Sequence, residues 1–141
     1  MFMTDTMRVA VIVNPELSRG LLANTSSVIA IGLAARFPVL AGEQLVDAEG
    51  KTIDVSSKLP VPILQATTTQ INDILQKALK STESVAIVPF PAFARAMHSF
   101  DHYAQAFSQC SLSGEMLDGL GLAGPEKWVK SLTGSLKLLR D

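Results

Sequence analysis

A chain of 141 residues with 48% apolar and 18% charged side chains can build one core and is far from a disordered composition. Its formal net charge of -1, from 12 basic and 13 acidic residues, excludes a bulk positive field that would hold a polyanion by charge alone. A lone cysteine, Cys110, excludes a disulfide framework and a cysteine-rich zinc site.

The first element is "RVAVIVN", residues 8–14, a β-branched run that suits a central strand covered on both faces. Its apolar part is too short for a signal-peptide core or a bilayer span, so a soluble, cytoplasmic protein with no membrane partner is expected. "PELSRG" then turns the chain. An apolar, small-residue helix runs from about Leu21 to Phe37, with Leu21, Leu22, Val28, Ile29 and Leu33 on one broad stripe. Pro38 stands at or just past its end.

"LVDAEGKTIDVS" predicts a small hairpin turning at Glu49-Gly50. "LPVPILQA" predicts an edge strand, because Pro60 and Pro62 cannot donate to a ladder. "TTTQINDILQKALKS" is an amphipathic helix with Ile71, Ile74, Leu75 and Leu79 at helical spacing and one of Thr67, Thr68 or Thr69 as its cap. A second buried-type strand follows at 84–90, and then a helix capped by Ser99 or Asp101. Another strand covers 116–123, where Gly119 and Gly121 point to a bulge or a close backbone approach. "PEKWVKSLTG" is a short helix with Pro125 in its first turn and Gly134 as its C-cap. The sum is one α/β domain, 1–141 with about 8–140 structured, built as three layers. A four-stranded mixed sheet carries helices on both faces.

Ligands of open α/β sheets bind beyond the carboxyl ends of strands. That rule selects Asn14, Glu16, Ser18 and Arg19 after the first strand, with Asn24 and Thr25 in the following helix. Arg19 and free helix N–H groups suit a small anionic ligand, a phosphate or carboxylate. The same Asn14 and Ser18 also serve as turn formers, and Arg19 as a solvated cation. The loop lacks a nucleotide fingerprint. "HSFDH" sets His98, Asp101 and His102 on neighbouring helical faces, but Ser99 stands where metalloprotease logic needs a glutamate. No metal and no cofactor are expected. Neither Ser27 nor Ser113 has a nucleophile elbow around it. Trp128 reads as core or interface. Lys127, Lys130 and Lys137 form the best basic cluster, which leaves RNA as a secondary partner. High apolar content with near-zero charge predicts a homodimer.

The ending "GPEKWVKSLTGSLKLL" resembles the C-terminus of the archaeal and eukaryotic type of peptidyl-tRNA hydrolase. "VNPELSRGLLAN", "PVPIL" and "GPEKWVKSLTGSLKLLR" resemble more closely a bacterial domain-of-unknown-function family, number two thousand, across about Arg8 to Arg140. The resemblance implies a peptidyl-tRNA hydrolase type II-like fold and dimerisation. It also raises hydrolysis of the ester of peptidyl-tRNA or a related acyl substrate, as the alternative to a non-catalytic ligand- or partner-binding domain. The hydrolases' Lys, Gln and His fall on Leu21, Thr25 and Val28 here, while Gly20 and Ala23 match. Their acidic residue falls near Glu115 or Asp118, so the catalytic residues are left unassigned. The terminal "SLKLL" is expected to lie along the sheet with its leucines inward, so that deleting 135–141 unfolds the protein.

Overall fold

The computed structural model describes residues 6–141. Residues 1–5, part of the expected span, lie outside the described part. Strand β1 (Met7–Val13) pairs in parallel with β4 (Ile63–Gln65) and antiparallel with β6 (Leu117–Pro125). β5 (Ala86–Pro91) runs along the other side of β6, and β7 (Lys137–Leu138) along the other side of β4. The sheet order is β5-β6-β1-β4-β7, and β2 (Gln44–Val46) with β3 (Thr52–Asp54) form a separate hairpin.

This corrects the expected four-stranded sheet of peptidyl-tRNA hydrolase type II. The fifth strand comes from the terminal "SLKLL", where the Leu139 N–H donates to the Ile63 carbonyl at 2.8 Å. Two residues of strand give almost no alternation to read in the sequence. The same pairing moves β4 off the sheet edge where its prolines had placed it. Pro60 and Pro62 precede the strand, and the Pro62 carbonyl accepts the Val11 N–H at 3.0 Å.

Period-two alternation along β1 explains the two cores. Val9, Val11 and Val13 face Ile29 and Leu33 of helix α1 (Arg19–Arg36), while Ala10 and Ile12 belong to the opposite cluster. That second cluster holds Ile71, Ile74, Leu75 and Ala78 of α2 (Thr68–Ala78) and Val129 of α4 (Glu126–Thr133). Thr67 caps α2 in a reciprocal capping box with Gln70, satisfying two otherwise orphan backbone donors. Leu79, expected on the buried stripe, is exposed, and Ala78 packs in its place.

Helix α1 approaches β6 closely because β6 is glycine there. A Cβ on Gly121 would overlap the Ile29 side chain and come within 3.1 Å of Leu33, and one on Gly119 would sit 2.7 Å from Thr25 Cγ2. The register of β5 against β6 also slips between Phe90 and Pro91. Phe90 faces Gly119 and Pro91 faces Leu117, which leaves Asp118 as the extra residue of a bulge. Both readings of the glycine pair, bulge and close approach, hold.

Candidate functional site

β1, β4 and β5 run in one direction and β6 in the other. Three carboxyl ends and the start of β6 therefore share one sheet edge, where the candidate residues collect. Asn14 is half-buried; its N–H donates to the Asp118 carbonyl at 3.0 Å, and its Oδ1 accepts the Glu16 N–H at 3.0 Å. Asn14 thus does turn work and ties the loop to β6. Ser18 is the N-cap of α1, its Oγ taking the Leu21 N–H at 3.4 Å. Glu16 and Asn24 are exposed.

Arg19 opens α1 with an exposed side chain that has no ion-pair partner among the described residues. No acidic residue occupies the first turn, so the positive end of the helix dipole is uncompensated. The first backbone N–H groups have no intrahelical acceptor. Next to Arg19, a Cβ at Gly20 would meet nothing within 4 Å, so this end of the helix opens to solvent. Thr25, by contrast, lies inside. It is buried against Gly119, and its Oγ1 has no hydrogen-bond partner. Asn24 and Thr25, adjacent in sequence, therefore do not share one mouth.

Sequence reasoning missed the strongest polar contact at this edge. Asp118 is fully buried and receives two bonds from Arg95, Nε to Oδ2 at 2.5 Å and Nη2 to Oδ1 at 2.6 Å. Arg95 stands in the 3-10 turn Ala92–Ala96 that follows β5. Its hydrogen bond to Asp118 raises the guanidinium pKa above its usual range, with the Asp118 charge acting in the same direction and partial burial opposing both. A lone carboxylate inside "LDGLGLA" was the available signal, since a charge in an apolar strand requires a partner.

Beside it, Asn72 of α2 donates to the carbonyls of Leu112 and Glu115 at 2.8 and 2.9 Å. A polar cleft of about 370 Å³ lies there, lined by Thr68, Asp73, Gln76, Ser113 and Glu115 among others. A larger cavity of about 420 Å³ is at the opposite end of β1, between 7–9 and 59–62. It is mostly apolar, with Arg8 on its wall, and contains none of the candidate residues.

Helix α3 (Phe100–Ser108) is capped by Ser99, and His98, Asp101 and His102 are all exposed. No group of three or more His, Cys, Asp or Glu is placed to hold a metal among the described residues. Leu21 and Val28 are apolar, and Thr25 is buried. Ser113 lines the polar cleft with Asp73 and Glu115, and its hydroxyl is within hydrogen-bonding distance of the Ser111 hydroxyl at 3.2 Å. None of the helices among the described residues is long and apolar enough to cross a membrane.

Fold and site define an α/β protein with a mixed five-stranded sheet and a polar carboxyl edge. A family model described as protein of unknown function (DUF2000) matches residues 7–140, and the chain belongs to that family. It is similar to the solved structure of Atu0240, a protein of unknown function from Agrobacterium tumefaciens strain C58. The two share 22% identity with a TM-score of 0.86 over 98% of each chain, a likeness of fold. No curated protein matches the chain.

Proposed function

We propose that this chain is a non-catalytic binding protein that takes a small anionic ligand, a phosphate or carboxylate, at the start of α1, and that it works in the cytoplasm as a homodimer. The observation that carries the ligand is Arg19. It is a cation with no ion-pair partner among the described residues, on the first residue of an 18-residue helix beside the open backbone of Gly20. Helix N–H groups and a guanidinium share that end of the helix, whose first turn holds no acidic residue. The near-neutral net charge favours small ligands over RNA. The free, half-buried Cys110 agrees with a reducing compartment.

Thermal unfolding with inorganic phosphate, pyrophosphate and a small dicarboxylate tests the reading. A ligand at ten times its Kd adds about 1.4 kcal/mol of stability. Native protein should gain stability with at least one of the three, and Arg19→Ala should lose most of that gain. Equal gains in both proteins, or none in either, would overturn the proposal.

A further inference from the structure

The β2–β3 hairpin stands off the main sheet, and none of its six strand residues is buried. Leu45 and Ile53 are directly opposite each other, so they share a face, and they are 51% and 58% exposed. An isolated two-stranded hairpin is marginal in water, and this one spends its apolar pair on solvent. Its charge is unbalanced too. Lys51 is paired with Glu49 and Lys58 with Glu43, whereas Asp47 and Asp54 have no cationic partner among the described residues.

β7 is the complement. Leu138 is 58% exposed on the outer strand of the sheet. Because the Leu139 N–H turns inward to Ile63, the Leu138 backbone groups face outward as an unpaired edge. Lys137 and Arg140 flank it without an ion-pair partner among the described residues. One chain therefore carries an acidic apolar surface and a basic apolar surface, and both stay uncovered within a single copy.

We infer that the hairpin of one copy adds edge-on to β7 of a second copy, so that Leu45 and Ile53 meet Leu138 on one face of the joined sheet and Asp54 meets Lys137 on the other. Each copy offers both halves, and a two-fold arrangement in which both contacts form at once closes as a dimer. An unrelated partner would match only one of the two surfaces. This surface rests on the self-association proposed above and is independent of the anion site.

Sedimentation equilibrium of the full chain tests it. Native protein should be a dimer, and Ile53→Asp and Leu138→Asp should each become monomeric. All these positions are exposed, so far-UV circular dichroism should stay native, and melting should fall only to the value the native protein shows when diluted to monomer. Asp54→Lys and Lys137→Asp should each raise the dimer Kd about tenfold or more, because each sets like charges together. Their combination should restore most of the affinity. A native protein that is monomeric throughout, a dimer that either apolar variant leaves intact, or a double swap without rescue would each overturn the interface. Phosphate stabilisation surviving in a monomeric variant separates failure of the dimer from failure of the anion site.

Discussion

Arg95 grips Asp118 through two parallel hydrogen bonds, and the two partners live in different media. The carboxylate is wholly enclosed and the guanidinium side chain is 37% exposed. Removing Arg95 leaves a buried charge without compensation. Arg95→Met should therefore destabilise the protein by about 2–4 kcal/mol, toward the low end of the usual range because solvent already reaches the arginine. The Arg95→Met, Asp118→Asn double variant should recover part of that loss. Urea unfolding of the three proteins measures it.

Gly121→Ala should cost about 1–3 kcal/mol by overpacking. The added methyl has nowhere to go between Ile29 and Leu33. Shortening the opposing side chain in Gly121→Ala, Ile29→Ala should restore space yet leave less buried apolar surface, and the urea midpoint should rise only partway.

Thr25→Val removes a buried hydroxyl that has no hydrogen-bond partner while keeping its shape. The expected change is a gain of about 1 kcal/mol, since an unsatisfied buried polar group costs about 1–3 kcal/mol. Calorimetry decides it. A loss of stability would mean that the hydroxyl is satisfied in solution, by water or a bound molecule.

Tyr103 is the sole tyrosine of the chain, so phenolate absorbance reports it alone. Burial pushes its pKa above the ordinary value, and the neighbouring Cys110 adds to the shift. The folded phenol thus holds its proton more tightly than the unfolded one. This contribution to stability is complete below the unfolded value of about 10 and is lost as pH rises through the folded value. The absorbance midpoint should lie above that of the urea-unfolded chain, and Cys110→Ser should lower it slightly.

Deleting residues 135–141 removes Leu136, which packs on the α2–α4 cluster, and Leu139, which packs on the α1 cluster. Full burial would be about 1.5–3 kcal/mol for each, and both are only half-buried. The truncated protein should show a markedly lower urea midpoint with its cooperative transition retained, a milder outcome than the sequence implies. Leu138, expected inward, points to solvent.

The sequence made the long periodic elements legible. β1 announces itself by its β-branched run, α2 by its stripe and capping box, and the hairpin by Gly50, which adopts φ 82° at the turn. Pairing was not legible. Nothing local says that a two-residue strand at Lys137 closes the β4 side of the sheet, or that Pro60 and Pro62 lie outside the ladder. At the site, the Asn14-to-Arg19 turn could be placed from the strand-end rule alone. Asp118 could not be matched to Arg95, because the pair is joined only through the register slip between β5 and β6. Helical periodicity alone leaves Thr25 facing an open mouth, and only the missing side chain of Gly119 makes room for it inside.

The position of β1 has a consequence for synthesis. Its antiparallel neighbour is β6, with Met7 opposite Pro125 and Val13 opposite Gly119. Of the described strands the earliest made is therefore the middle of the main sheet, and its β6 flank waits until residues 117–125 emerge. During that interval "VAVIV" is an uncharged strand whose β6 edge stays open even after β4 has emerged to pair with the other, the kind of segment that seeds aggregation. Newly made chains should thus depend on chaperones more than the finished protein's stability suggests, and the dependence should end when residues 117–125 emerge.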